Sequence, residues 1–395
     1  MLEWGKIELR KLGLNYIGHT YNDVYFFILP MLLPILRSEF GLSYTQVGLL
    51  LTCHVAIRSL CTFISGNLGA KYDRHIIIAI GFILSSTVLG SLIWVEDINS
   101  IVTLLILLAI GVSTFHPLAT TMVGEEASTG KRMLQLGIFE SGGAIGIILV
   151  TFIFGFMVEK IGWQKTCFFI ALPGFFIALG FLKFKKLKIT SELEGTKEVD
   201  IRYIFLVLFA RGISFCCVWA ILSYSAIYAT DILHLHLIYS SWYLTFIFVG
   251  YIIGSIGTGY LGDQINPLKV ILLTNLLMIP LVFGVSYILN PLISGFLFML
   301  FGVFFGGLIV SLNFWLLTVS NSSNRSKVFG AGFFLEGVSA TLAPYLYGWL
   351  ADQIGLLSIF RWATLPLVIA LAFYSFIFYL NHQKILYKGI QAVDN

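Results

Sequence analysis

One segment near the start of the chain concentrates polar side chains that can hold or pass a proton. Its members recur at i, i+4, i+7 and i+8, which places them on one face of a helix: Asn15, His19, Asn22 and Asp23. Because their neighbours are apolar, the charged form of the Asp23 carboxylate is disfavoured, and His19 one turn away could stabilise or relay its proton. We predict that this stripe lines a cavity and takes part in proton coupling or binding; the alternative is a structural polar contact with a neighbouring helix.

Two arginines occupy apolar segments, where a guanidinium keeps its proton and needs an anion nearby. Arg58 follows His54 by one helical turn, so both residues face the same side. The anion near Arg58 is either Asp23, in a structural ion pair, or an acidic ligand. Arg211 presents the same alternatives, with Glu336 as the candidate carboxylate.

A proline and a run of glycines mark two further titratable residues. In Phe115-His116-Pro117 the proline removes a backbone hydrogen bond, which predicts a helix bend next to His116. Glu140 precedes Ser141-Gly142-Gly143 and Gly146, and such small residues let helices pack closely. We interpret the glycines as packing residues, whereas His116 and Glu140 are candidates for proton coupling or for structural contacts.

The composition places these residues in a membrane protein. Of the 395 residues, 58% are hydrophobic and 11% are charged, whereas soluble domains carry charge on about a quarter of their residues. A net charge of +4, spread between apolar segments, argues against nucleic acid as a partner. Five cysteines lie in apolar stretches without ligand-like spacing, which predicts packing residues rather than disulfides or a zinc site.

Apolar stretches of about 20 residues predict transmembrane helices, because lipid offers backbone groups no other partners. Twelve such stretches have the limits 14–36, 45–68, 75–94, 100–123, 134–158, 165–184, 203–229, 238–261, 268–289, 292–318, 328–351 and 357–381. With the N-terminus inside, the only Lys and Arg residues that fall outside are Arg37, Lys160, Lys165 and Arg361, while two lie within helices. This distribution follows the positive-inside rule and predicts that both termini are cytoplasmic.

The most charged linker, Lys183 to Arg202, predicts a boundary between two six-helix halves. The predicted domains are an N-terminal half at 1–185, a cytoplasmic linker at 186–201 and a C-terminal half at 202–395. The halves share two motifs: Gly66-Asn67-Leu68-Gly69 matches Gly259-Tyr260-Leu261-Gly262, and the segment 155–162 matches 348–355, both at an offset of 193 residues. One shared offset indicates an internal duplication, which is common among transporters.

The loops that follow the first pair of motifs are interpreted as gate loops. A glycine-rich turn lets two helices reverse tightly, and a carboxylate there can meet a helix N-terminus. The second loop supplies Asp263, whereas the first has Ala70 at that position and Asp73-Arg74 three residues later. The predicted gate residues are Gly66, Gly69, Asp73, Arg74, Gly259, Gly262 and Asp263.

Twelve helices in two related halves, with a Gly-x-Leu-Gly-Asp loop, resemble the major facilitator superfamily. Within it, the strings His19-x-x-Asn22-Asp23, Phe115-His116-Pro117 and Gly142-Gly143-x-x-Gly146 resemble the fosmidomycin-resistance family of bacterial efflux proteins. The resemblance implies a proton-driven carrier of the bacterial inner membrane, with a cavity between the halves and no bound cofactor. The chain departs from drug/proton antiporters of the superfamily at Val150-Thr151, where those proteins have Gly-Pro, and at Ala70.

These observations predict a secondary transporter that moves a small solute across the bilayer by alternating access, as a proton-coupled efflux antiporter. The first alternative is an uptake symporter or uniporter for a small organic anion, which the two membrane arginines suggest. The second, from another class, is a non-transporting membrane receptor. No spaced ligand motif such as HExxH occurs, so neither an enzyme nor a metal site is predicted. The expected partners are the solute, protons and lipid, and the expected state is a monomer.

Overall fold

A computed structural model describes residues 2–41, 44–126, 131–184, 201–235, 237–262, 265–320 and 324–383, and these residues are almost entirely helical. The helices are α1 Leu2–Phe40, α2 Tyr44–Gly69, α3 Arg74–Ser91, α4 Ile98–Val112, α5 Phe115–Glu126, α6 Arg132–Ile161, α7 Trp163–Phe184, α8 Ile201–Asp231, α9 Leu237–Gly262, α10 Pro267–Val285, α11 Pro291–Val319, α12 Arg325–Ile354, α13 Leu357–Trp362 and α14 Thr364–His382. Ten of the twelve predicted stretches coincide with one helix each. The stretch at 100–123 is divided between α4 and α5, and the stretch at 357–381 between α13 and α14.

Within the described residues, ten helical stretches are long and apolar enough to cross a membrane, counting α4 with α5 and α13 with α14 as single spans. The two remaining long helices, α1 and α12, are more polar. Helix α1 carries the stripe that includes His19 and Asp23, and α12 carries Glu336. Such residues are expensive in lipid and belong on faces that are covered by other helices.

The break between α4 and α5 confirms the bend predicted at Pro117. In a regular helix the carbonyl of Ser113 would accept a hydrogen bond from the N–H of residue 117. Pro117 has no N–H, so this hydrogen bond is missing. Two hydroxyls of α2 replace it: Thr62 Oγ1 donates to Ser113 O at 3.3 Å and Ser65 Oγ at 3.2 Å. The bend is therefore held by side chains of a neighbouring helix, and it begins α5 directly before His116.

The internal duplication is visible in the helix limits. Helices α2 and α9 have 26 residues each, and their first and last residues differ by 193. The same offset relates both ends of α6 and α12, which have 30 residues each. It also relates the start of α4 to that of α11 and the end of α5 to the end of α11. The offset inferred from two short motifs therefore extends over most of each half.

The chain forms two compact units. The first consists of Met1–Glu126, Gly142–Ser191 and Phe329–Gly337, and the second of Ala127–Ser141, Glu192–Val328 and Val338–Asn395. Helices α6 and α12 thus each contribute residues to both units. The division into halves at 1–185 and 202–395 stays a prediction, and residues 186–200 of its linker lie outside the described part of the chain.

Close packing of α9 on α11 in the second unit depends on glycines. A Cβ on Gly254 would overlap the carbonyl oxygen of Val303, and a Cβ on Gly302 would overlap that of Ile247. Small residues at such crossings let two backbones approach closely enough for extensive van der Waals contact in a membrane. Gly257, on the same helix α9, has no atom within 4 Å of the position a Cβ would take.

This difference predicts opposite effects for two alanine substitutions on one helix. Gly254→Ala should lower stability by about 1–3 kcal/mol, because the methyl group forces two backbones apart. Gly257→Ala should leave stability unchanged or raise it by up to about 1 kcal/mol, because alanine is the better helix former. Thermal unfolding of the purified variants in detergent measures both, and an equal loss in both would contradict the packing described.

Candidate functional site

The polar stripe of α1 faces the interior of the first unit. The exposed fractions of Asn15, His19, Asn22 and Asp23 are 1%, 2%, 3% and 9%, whereas Ile17 on another face is 52% exposed. The side chains are therefore shielded from lipid, as the one-face spacing predicts. Oδ1 of Asn15 and Nδ2 of Asn22 are buried without a hydrogen-bond partner within the described part of the chain.

The Asp23 carboxylate lies between two imidazole rings. Its Oδ1 is 3.0 Å from Nε2 of His116 on α5, a hydrogen-bonding distance, and its Oδ2 is 3.5 Å from Nε2 of His19. The two rings meet edge to face with centroids 4.9 Å apart. Three groups that can each hold a proton thus contact one another, and a proton can be shared or passed among them.

A glycine on α6 completes this cluster. The Cβ position of Gly143 would overlap Asp23 Oδ2 and would lie 2.6 Å from His19 Nε2. Only glycine leaves room for the two side chains to reach each other here, so this residue of the predicted packing run also shapes the cluster of titratable groups. We name His19, Asp23 and His116 the histidine–aspartate cluster.

The same three side chains each offer one ligand atom within 4.8 Å of the others. Two imidazoles and a carboxylate can also hold a divalent cation such as Zn²⁺. The sequence contains no spaced ligand motif for a metal, and none was predicted. A motif of this kind cannot reveal ligands that come from two helices, as His19 and Asp23 on α1 and His116 on α5 do. The 3.0 Å contact between His116 and Asp23 is also that of a direct hydrogen bond, which needs no ion.

Arg58 does not form the predicted direct ion pair with Asp23. Its guanidinium lies over the ring of Phe26, with Cζ 3.9 Å from the centroid. Asp23 and Glu336 attract it electrostatically, but none of the carboxylates in the described residues comes within ion-pair distance of it. The ring of His54 also stacks on Phe26, with centroids 5.9 Å apart, while its Nδ1 is 2.9 Å from the carbonyl oxygen of Leu105.

Glu140 belongs to a second buried network, in the second unit. Its Oε1 accepts a hydrogen bond from Asn313 Nδ2 at 2.8 Å, and its Oε2 accepts one from the Tyr251 hydroxyl at 2.9 Å. Asn313 in turn accepts one from Arg211 Nη1 at 2.7 Å. Asn313 therefore links a carboxylate to a guanidinium across α6, α11 and α8. The four proton-coupling candidates do not form one cluster, because Glu140 is separate from the other three.

The first gate loop is held by its charged residues. The Asp73 carboxylate caps α3 by accepting a hydrogen bond from the His75 backbone N–H at 2.9 Å. Arg74 donates from Nε to the carbonyl oxygen of Gly69 at 3.1 Å and forms an ion pair with Glu125 at the end of α5. These contacts tie the end of α2 to α3 and α5, and a gating role for them stays a prediction.

The other gate glycines lie where helices approach one another. A Cβ on Gly330 of α12 would lie 3.0 Å from Cα of Gly66. A Cβ on Gly259 would lie 2.8 Å from the Met133 carbonyl oxygen, and one on Gly262 would overlap the Met133 sulfur. Asp263 lies outside the described residues.

Sequence reasoning did not identify Asn313, Tyr251 or Phe26. Asn313 is a fully buried residue and the single amide side chain in α11, whose other polar side chains are hydroxyls, and this was a usable signal. Tyr251 and Phe26 have no such signal, since the chain contains 18 tyrosines and 35 phenylalanines. Their importance follows from what they contact.

The position of Gly143 predicts a coupled effect on stability. Gly143→Ala should destabilise the protein by about 1–3 kcal/mol, because its methyl group displaces Asp23 and His19. In a His19→Ala background the loss should shrink, since the removed ring leaves space for the Asp23 carboxylate. Gly142→Ala is the matched control, because its Cβ would lie 3.2 Å from the Tyr16 ring instead. A Gly143→Ala loss unchanged by His19→Ala in thermal unfolding would contradict this geometry.

Two similar proteins of named function provide a context for this site. It is 28% identical over 161 residues to the fosmidomycin resistance protein of Escherichia coli (strain K12), a match that covers 40% of this chain and 39% of that protein. It is 23% identical over 404 aligned positions to the proton-coupled antiporter flippase LtaA of Staphylococcus aureus (strain USA300), covering 94% of this chain and 98% of that protein. The chain thus spans well under half of the first relative and nearly all of the second.

Solved structures share the fold over almost the whole chain. The human organic anion transporter MFSD10 superposes with a TM-score of 0.76 at 12% identity, covering 93% of this chain and 99% of that one. FucP, a transporter in the outward conformation, superposes with a TM-score of 0.73 at 14% identity, covering 93% and 98%. At these identities the likeness shows the fold alone. The family model of the Major Facilitator Superfamily matches residues 16–344, which is most of the chain, and the protein therefore belongs to this superfamily of membrane transporters.

Proposed function

We propose that this transporter exports a small solute across the bacterial inner membrane in exchange for protons, and that the histidine–aspartate cluster binds the coupling proton. The observation that carries the proposal is the contact of Asp23 with His116 at 3.0 Å and with His19 at 3.5 Å. A carboxylate in contact with two imidazoles belongs to a set of groups that can bind and pass on a proton. The description of one relative as a proton-coupled antiporter supports the same activity.

Coupling requires that the proton and the solute bias the same equilibrium between two conformations. Protonation of the cluster changes the charge that α1, α5 and α6 enclose, since Asp23 on α1 contacts His116 on α5 and Gly143 on α6. The charged groups that act on Asp23 are His19 from its own helix, His116 from α5 and Arg58 from α2. Movement of the predicted halves, 1–185 and 202–395, would expose the cluster to the two sides in turn. We place both termini in the cytoplasm and regard the monomer as the working unit.

A second candidate function is uptake of a small organic anion together with protons. The observation that favours it is Arg58, a guanidinium within a membrane span that pairs with a ring instead of a carboxylate. The direction of proton movement separates the two functions, because antiport and symport carry protons in opposite senses relative to the solute.

The first test uses everted membrane vesicles whose interior is acidified by respiration, with fosmidomycin as the added solute. Wild-type protein should release protons from the vesicles when fosmidomycin is added, read as recovery of a quenched pH-sensitive dye. Asp23→Asn should abolish this recovery while exchange of labelled fosmidomycin continues without a gradient, because the proton-binding group is lost and the solute site remains. A chelator such as EDTA should change neither result.

Asp97→Asn is the matched control for this substitution. Asp97 caps α4 outside the membrane spans, and hydrogen bonds from the Ser100 side chain and backbone N–H hold the pKa of its carboxyl below the usual range. Asparagine caps helices as well as aspartate does, so coupling should be unchanged. Proton release that survives Asp23→Asn, or fosmidomycin movement that never moves protons in the wild type, would disprove the proposal. Loss of coupling in EDTA would indicate a bound metal ion instead.

A further inference from the structure

Arg58 is a charged group in a membrane span, and the described part of the chain offers its side chain no hydrogen-bond acceptor. It lies in the span Leu49–Gly69, and its Nε is buried without a hydrogen-bond partner. No ion pair or side-chain hydrogen bond of Arg58 occurs within the described residues. A guanidinium carries five N–H donors and no acceptor, and its contact with the face of Phe26 at 3.9 Å supplies no hydrogen-bond acceptor in the ring plane.

The two carboxylates that attract Arg58 electrostatically, Asp23 and Glu336, form no ion pair with it. Asp23 contacts His116 and His19, and Glu336 attracts Arg58 without coming within ion-pair distance. Cationic groups inside a membrane protein are paired or face a water-filled passage. Arg58 as a whole is only half-buried, so part of this residue is accessible to a small molecule.

Other unpartnered polar atoms lie around the same ring. Asn22 precedes Phe26 by one turn of α1, and its Nδ2 donor is buried without a partner. The ring of His54 stacks on Phe26, with centroids 5.9 Å apart. Because Nδ1 of His54 donates to the Leu105 carbonyl oxygen, its Nε2 is an acceptor. No described residue donates a hydrogen bond to this Nε2. One aromatic ring thus contacts a guanidinium and an imidazole, with an amide donor one turn away.

We propose that Arg58, Phe26 and Asn22 form a binding site for the oxyanion of a small solute, a carboxylate or phosphoryl group. The planar guanidinium matches such a group with two parallel hydrogen bonds, and the Asn22 amide can supply a further donor. Nε2 of His54 accepts a hydrogen bond from a hydroxyl or amine of the same solute. This inference rests on the proposed transport function, since the anion is the transported solute or part of it.

The first experiment compares the stability of ligand-free protein in detergent, with no gradient present. Arg58→Met should leave the thermal unfolding midpoint unchanged or raise it, because a charged group without an ion-pair partner in the described residues is replaced by an apolar side chain of similar length. Arg211→Met is the contrast, because it breaks the hydrogen bond to Asn313 and should lower the midpoint. A midpoint lowered as much by Arg58→Met as by Arg211→Met would show that Arg58 is structural, and would overturn the proposal.

The second experiment measures binding by thermal stabilisation with benzoate, phenylphosphonate and the neutral isostere benzamide. At least one anion should stabilise the wild type and benzamide should not. Arg58→Met should raise the apparent Kd for that anion by roughly tenfold or more, which is the usual effect of losing a charge-assisted hydrogen bond. Arg58→Lys should retain part of the binding, because it keeps the charge and loses the paired donors. No stabilisation by either anion, or equal stabilisation by benzamide, would overturn the proposal.

A lipid headgroup could offer the same chemistry as a free solute, and nanodiscs separate the two sources. The anion should stabilise the protein equally in nanodiscs of phosphatidylcholine alone and in nanodiscs that contain phosphatidylglycerol. Stabilisation by phosphatidylglycerol that Arg58→Met removes would overturn a small-solute site. The anion-binding result and the proton-release result can fail separately. A proton-coupled carrier of neutral solutes would release protons but would not be stabilised by the anion. An uncoupled anion carrier would be stabilised by the anion but would release no protons.

Discussion

The cost of placing a charged side chain in a membrane determines which helices of this protein must meet. A carboxylate in a span is tolerated only where other groups replace its lost hydration. Asp23 obtains that replacement from two imidazoles, one of them on another helix. Glu140 obtains it from the amide of Asn313 and the hydroxyl of Tyr251. These hydrogen bonds and ion pairs therefore specify which helices pack together at the two networks, in addition to the close glycine crossings.

The duplication supplies two similar scaffolds, and a few substitutions give them different chemistry. Helix limits repeat at 193 residues over much of the chain, yet the titratable residues of the two buried networks do not repeat. Arg58 corresponds by this offset to Tyr251, which binds the Glu140 carboxylate, and Asp23 corresponds to Cys216. The backbone arrangement thus persists where the side-chain chemistry has diverged. The histidine–aspartate cluster lies in the first unit, and the hydrogen-bonded network of Glu140, Asn313 and Arg211 lies in the second.

The sequence predicted what depends on local spacing and failed where partners depend on how helices rotate against each other. The stripe of α1, the bend before His116 and the offset of 193 follow from the identities of nearby residues, and the structure contains them. The choice of His116 instead of Arg58 as the partner of Asp23 does not follow, because both lie on other helices at suitable depth. Asn313 was missed for the same reason: its partners, Glu140 and Arg211, come from two distant segments.

The attraction between Asp23 and Arg58 links the two proposed sites and sets the sign of their coupling. When Asp23 is charged it partly compensates the guanidinium, so it weakens the attraction of Arg58 for an external anion. A proton on the histidine–aspartate cluster removes that compensation, and the anion then binds more tightly. By linkage, a bound anion favours the proton to the same extent. This linkage by itself favours the second candidate function, in which a proton and an anion move together. The exchange proposed first requires a solute that also competes with the proton for Asp23. The chemistry of the solute therefore determines whether protons move with it or in the opposite direction.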